Sequence, residues 1–141
     1  MIKKFRYQES MNNLSISCPP SECEPRETIA FRWVFEHIED EKNFLPQFFK
    51  NPNYANARED VQCQSLGLSC FVSEQQARQK FEKYLNRIGP TAYKVLGEKV
   101  AKGFLNSFDG HCSLSDSSGH FTFHPFDDSI FERNFVLISA L

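Results

Sequence analysis

The residues best suited to chemistry in this chain crowd into one stretch, His111-Cys112-Ser113-Leu114-Ser115-Asp116-Ser117-Ser118-Gly119-His120-Phe121-Thr122-Phe123-His124, which holds three of its four histidines. Asp116 and Gly119 suit the first and last positions of a type I turn, so the stretch reads as a β-hairpin. Pairing residue 115 with 120 sets 113 opposite 122 and 111 opposite 124. Side chains alternate along a strand, which puts His111, Ser113, Ser115, His120, Thr122 and His124 on one face. Cys112, Leu114, Phe121 and Phe123 take the other. A bulge at Gly119 would shift the pairing by one and set Leu114 opposite Thr122. The polar face is the expected ligand surface, with His111, Ser113, Thr122 and His124 as its binding residues.

Three chemistries suit these residue types. His120 and His124 have the spacing of half a zinc finger, but that spacing works on a helix. On a strand the two are about 13 Å apart, and His111 with His124 gives only two ligands, so no metal is expected. General acid–base work needs a histidine with an orienting carboxylate, and Asp109, Asp127 and Asp128 flank the hairpin. Thiolate chemistry fits less well. Cys112 and His111 point to opposite faces, and Cys70, ahead of a helix start, reads as a small core residue.

Arg32 and Ser69 each interrupt an otherwise apolar strand. A buried arginine there must snorkel or find an anionic partner, and a structural ion pair is the simpler reading. An arginine on one strand and a serine on another also resembles, in these two residue types, the nicotinamide-binding cleft of ADP-ribosyltransferase folds. That resemblance implies a catalytic glutamate on a late strand, for which Glu132 is the candidate.

The elements that must position these residues follow from periodicity. Residues 1–27, with Cys18-Pro19-Pro20-Ser21 and Glu24-Pro25, read as an irregular N-terminal arm that Phe5, Tyr7, Leu14 and Ile16 could dock on the body. Residues 28–141 read as a single α+β domain. Thr28–Phe35 and Leu66–Val72 are strands, rich in β-branched and aromatic residues. Asn43–Lys50 suits a short helix with Pro46 in its first turn, and Asn51–Asn56 a loop. Ser73 and Gln76 form a capping box ahead of the main helix, about 74–88, in which Ala77, Phe81, Tyr84, Leu85 and Ile88 recur at helical spacing before Gly89-Pro90 ends it. Tyr93–Leu96 reads as a helical turn and Lys99–Leu105 as a strand. Phe135-Val136-Leu137-Ile138 is a closing strand whose continuous apolar run suits burial on both faces. The expected architecture is a mostly antiparallel sheet packed against one main helix and short additional helices, with Phe31, Trp33, Leu68, Phe81, Leu85, Phe104, Phe121, Phe123, Val136 and Ile138 in the core.

Composition bounds the function. Fifteen phenylalanines against one tryptophan favour a compact aromatic core. A net charge of −2 with scattered Lys and Arg gives no nucleic-acid footprint. No run approaches a membrane span, and the N-terminus lacks the apolar core of a signal peptide, so the expected location is cytoplasmic. The five cysteines, odd in number and widely spaced, are then expected as free thiols. No phosphate loop of the P-loop or dinucleotide type occurs, and no cofactor is called for. The first expectation is an intracellular interaction or accessory module that binds a protein partner or small ligand. The second is a small nucleotide- or NAD-using transferase or hydrolase, its cleft formed by Arg32, Ser69 and one of His111, His120 or His124. Convergence of those residues on one pocket separates the two.

Overall fold

The computed structural model describes residues 3–141. Seven strands run in chain order: β1 Glu24–Pro25, β2 Thr28–Val34, β3 Leu68–Phe71, β4 Lys99–Leu105, β5 Gly110–Cys112, β6 His120–Pro125 and β7 Val136–Ala140. They form one sheet in the order β1-β5-β6-β3-β2-β4-β7, antiparallel at every pairing. The helices are α1 Gln8–Asn12, α2 Gln47–Lys50, α3 Glu59–Ser65, α4 Glu74–Ile88 and α5 Thr91–Val95. The fold is α+β. Among the described residues no helix is long and apolar enough to cross a membrane.

Alternation along β2 gives the sheet two different faces. Ala30 and Val34 face a core shared with Leu68, Cys70, Ala101, Leu105, Phe121 and Phe123. Phe44, Phe131 and Phe135 close this side, with Phe44 and Phe123 edge-on to the Phe131 ring. Trp33 faces the opposite side, where its indole donates to the Ala77 carbonyl at 2.9 Å and its ring meets Phe81 edge-on, fixing α4 to the sheet. The start of α4 is set locally. Ser73 Oγ accepts from the Gln76 amide at 3.2 Å and donates to Gln76 Oε1 at 2.9 Å, a cap worth about 1 kcal/mol. The helix stops at Gly89, whose φ of +68° only glycine adopts without strain.

The sheet is not continuous in its middle. β2 pairs with β4 along its whole length, from Thr28 opposite Leu105 to Val34 opposite Lys99. Toward β3 it makes one registered pair, Phe31 with Phe71. Beyond that pair the strands part.

Several expectations need correction. β7 is the edge of the sheet, so its apolar run is not buried on both faces: Val136 is 58% and Ile138 39% exposed. Phe104, also expected in the core, is 45% exposed on neighbouring β4. The five cysteines are not all free. Cys18 and Cys63 form a disulfide with Cα atoms 5.7 Å apart, while Cys23, Cys70 and Cys112 remain free and buried. That bond ties the N-terminal segment to α3, a helix that sequence periodicity did not expose. The same segment carries α1, pairs β1 with β5, and bridges Phe5 to Phe126. Asn43–Lys50 splits at Pro46 into a 3-10 turn over Glu41–Phe44 and the four-residue α2, and Pro52–Asn56 is a second 3-10 turn.

Candidate functional site

The hairpin forms with both candidate registers in it. Asp116 N donates to the His120 carbonyl, Gly119 N donates back to the Asp116 carbonyl, and Gly119 has φ +78°. This is the bulged turn. Yet His111 stands opposite His124 and Cys112 opposite Phe123, so the strands are in the unshifted register. Residues 113–115 absorb the difference outside any strand. There Thr122 N is taken by the Ser113 side-chain hydroxyl at 2.9 Å.

The shared polar face does not act as one surface. His124 and Thr122 are buried at 1% and 6% exposure. A Cβ on Gly67 would lie 2.4 Å from Thr122 Cγ2 and 2.8 Å from His124 Cε1, so both pack directly under the entry to β3. His124 Nδ1 has no hydrogen-bond partner, and burial holds the imidazole neutral, with a pKa of about 4. His111 is half-buried between Phe5 and Phe126. His37 lies elsewhere on the surface beside Glu39. His120 is the one hairpin histidine that reaches a cleft.

That cleft opens where β2 and β3 part. It has two adjoining lobes of about 340 Å³ and 290 Å³ that share Trp33, Gln47, Tyr54, Gly67, Ser69, Phe71 and Tyr84. His120, Asp116 and Lys80 line the first lobe. Arg32, Lys50, Leu45, Pro46 and Leu96 line the second. Ser69 therefore borders both lobes, whereas His120 lines only the first and Arg32 only the second. The first volume sits at the small end of ligand pockets, roughly 300–1,000 Å³, and the second just below it.

Ser69 is exposed within a strand whose other members are buried, because its side chain points into the gap. Its Oγ lies 2.9 Å from His120 Nε2. The other imidazole nitrogen, Nδ1, faces Asp116 Oδ2 at 3.9 Å. Asp116 is itself held by its other oxygen, which accepts from the Ser118 and His120 amides and the Ser118 hydroxyl. Those bonds keep its carboxylate below the usual range against the opposing effect of burial. Burial lowers the His120 pKa, opposed by Asp116. In the tautomer that carries its proton on Nδ1, Nε2 accepts from the Ser69 hydroxyl. Ser69 Oγ, the His120 ring and the Asp116 carboxylate thus follow one another along the first lobe. At 3.9 Å the Asp116–His120 separation is longer than a hydrogen bond, and it becomes an ion pair only when the imidazole is protonated.

Arg32 has a different role from the expected ion pair. Its guanidinium donates to the carbonyls of Ser69 and, at 2.7 Å, Asn43, and stacks on Phe44 with 5.7 Å to the ring centroid. No carboxylate is within salt-bridge distance among the described residues. The Ser69 carbonyl points toward β2, where the ladder has ended, so Arg32 supplies the donor that a paired strand would have given. It braces the floor under Ser69. Glu132 sits on a 3-10 turn, not a strand, and binds Arg6 at 2.7 Å in a different cavity. The glutamate that the ADP-ribosyltransferase resemblance implies is thus absent from this cleft, whose one lining carboxylate is Asp116.

The free thiols are poor nucleophiles. Burial pushes Cys70 to about 11 and Cys112 to about 12. Among the described residues no three His, Cys, Asp or Glu side chains gather as a metal site. Sequence reasoning missed Lys50, Lys80, Tyr54 and Tyr84 as site residues, since their spacing carries no motif. It also missed Asp116 as the partner of His120, having assigned it to the turn alone. No protein-family model, curated protein or solved structure matches the chain, so the assignment of function rests on this geometry.

Proposed function

We propose that the protein is a small hydrolase or transferase that works through Ser69, with His120 as general base and Asp116 as its positioning residue. The observation that carries this reading is the 2.9 Å approach of Ser69 Oγ to His120 Nε2 inside a ligand-sized cleft. In the first step Ser69 Oγ attacks an acyl or phosphoryl centre and its proton passes to His120 Nε2. The leaving group departs with that proton, and the substrate fragment stays on Ser69 as an ester. Water or an acceptor hydroxyl then attacks the ester, giving its proton to His120, which returns it to Ser69 as the bond breaks. A low imidazole pKa suits the base role at neutral pH, and the Asp116 carboxylate stabilises the imidazolium formed along the way.

The non-catalytic module was the first expectation from sequence. The close approach of His120 Nε2 to Ser69 Oγ favours the enzyme instead, because it sets a base beside a hydroxyl at the cleft. The test is covalent labelling by a fluorophosphonate, read by intact mass and peptide mapping. One adduct per chain is expected, on Ser69, and none in Ser69→Ala. His120→Gln slows labelling at least 100-fold while melting like the parent. The rate is flat through neutral pH and falls on the acid side of pH 6.5, and Asp116→Asn moves that fall to lower pH. Labelling spread over several serines, or a rate unaffected by His120→Gln, would overturn the proposal.

A further inference from the structure

The lining of the cleft is specific about what it accepts. Four aromatic side chains, Trp33, Tyr54, Phe71 and Tyr84, border both lobes. Trp33 and Tyr84 meet edge-on with centroids 5.9 Å apart, and Trp33 and Phe71 lie tilted at 5.2 Å, so one broad apolar wall runs past Ser69. Gln47 borders both lobes and Gln64 the first. Neither side-chain amide has a hydrogen-bond partner within the protein among the described residues, and each offers a donor beside an acceptor. That pairing matches the hydrogen-bonding edge of a nucleobase.

The charge on the same walls is one-sided. Lys80 lies in the first lobe and Lys50 in the second, Ser69 borders both, and Arg32 lines the second as a third cation. No carboxylate pairs with either lysine among the described residues. Asp116, the one acid present, faces His120. Lys50 is half-buried, and burial, Arg32 and Lys42 push its pKa down to about 8 against the opposing effect of Asp40. A bound anion would relieve both effects. An aromatic wall, amide groups at its margin and two lysines without a carboxylate in salt-bridge distance, one in each lobe that Ser69 borders, together describe a planar base that carries a phosphate.

Building on the serine–histidine reading, we infer that the cleft takes a nucleoside monophosphate or an ester of one, its base against Trp33 and Tyr84 and its phosphate between Lys50 and Lys80. Trp33 is the only tryptophan in the chain, so its fluorescence reports occupancy without added label. The probes are AMP, GMP, CMP and UMP, their parent nucleosides, inorganic phosphate and phenylacetate. At least one monophosphate quenches Trp33 saturably, and its nucleoside binds at least tenfold more weakly. Lys50→Met abolishes that difference without changing nucleoside affinity, whereas Lys50→Arg retains it, and both variants melt like the parent. The inference fails if no monophosphate saturates below millimolar concentration, or if nucleoside and nucleotide bind alike. It fails also if phenylacetate saturates the site and nucleotides do not. The two proposals separate cleanly. Ser69 labelling unaffected by every nucleotide refutes the substrate class and leaves the catalytic reading intact. Phosphate-dependent quenching with an unreactive Ser69 does the reverse.

Discussion

Acidification tests the packing of the site from beneath. His124 is 1% exposed, its Nδ1 has no partner, and its pKa in the folded chain is about 4 against 6.5 for the free side chain. The sign follows from proton counting. Between those two values the unfolded chain holds more protons at this position than the native one, so stability falls as pH falls. At about 1.4 kcal/mol per pH unit, the full span amounts to about 3 kcal/mol lost between pH 6.5 and 4. Ionised carboxylates with lowered pKa values, Glu59, Glu74 and Asp116 among them, lose their contributions at the acid end of the same range. The informative quantity is therefore a difference between variants. Urea unfolding of the parent and of His124→Leu at half-unit intervals from pH 7 to 4 supplies it. The leucine removes the titrating ring and the unpaired nitrogen while filling much of the volume between Gly67 and the sheet. The parent should lose about 3 kcal/mol more than the variant over the interval. Parallel curves would refute the reasoning, showing that the ring is hydrated or paired in solution.

Two further outcomes probe the scaffold. The Cys18–Cys63 bond spans 45 residues, and the chain-entropy relation gives it about 4 kcal/mol. Thiol titration in denaturant without reductant should find three of the five cysteines, and the Cys18→Ser/Cys63→Ser variant should unfold at lower urea. Five reactive thiols would overturn the pairing. Arg32→Lys removes a fork that donates to two carbonyls at once, and a single ammonium cannot hold both in the same geometry. A loss of about 1–3 kcal/mol follows, together with slower Ser69 labelling because the floor beneath Ser69 loosens. Unchanged labelling would assign Arg32 to packing alone.

The legible parts of the sequence were those governed by local chemistry. Ser73, Gln76 and Gly89 marked the ends of α4, Asp116 and Gly119 marked the turn, and the alternation of 28–34 marked β2. Arg32 and Ser69 stood out because each broke an apolar pattern, and the cleft lies where both do so. What local pattern could not supply was strand order. Phe135-Val136-Leu137-Ile138 has the composition of a central strand, and only the pairing of β4 with β2 sends it to an edge. The polar hairpin face was misjudged for a related reason. Alternation assigns His124 and Thr122 to a face, but whether that face meets water depends on α3 and Gly67, far away in sequence. Cys18 and Cys63 likewise give no sign of each other until both are folded.

The single registered pair between β2 and β3 has a mechanical meaning. Four strands, β1, β5, β6 and β3, form one blade, and three, β2, β4 and β7, form another, hinged at Phe31 and Phe71 and pinned by Arg32. A molecule lying along Trp33 and Ser69 touches both blades at once and acts as a clamp across the hinge. Its binding free energy then adds to the cohesion of the whole sheet. Amide exchange should slow on β4 and β6 together when the cleft fills, although neither strand supplies more than one residue to its lining.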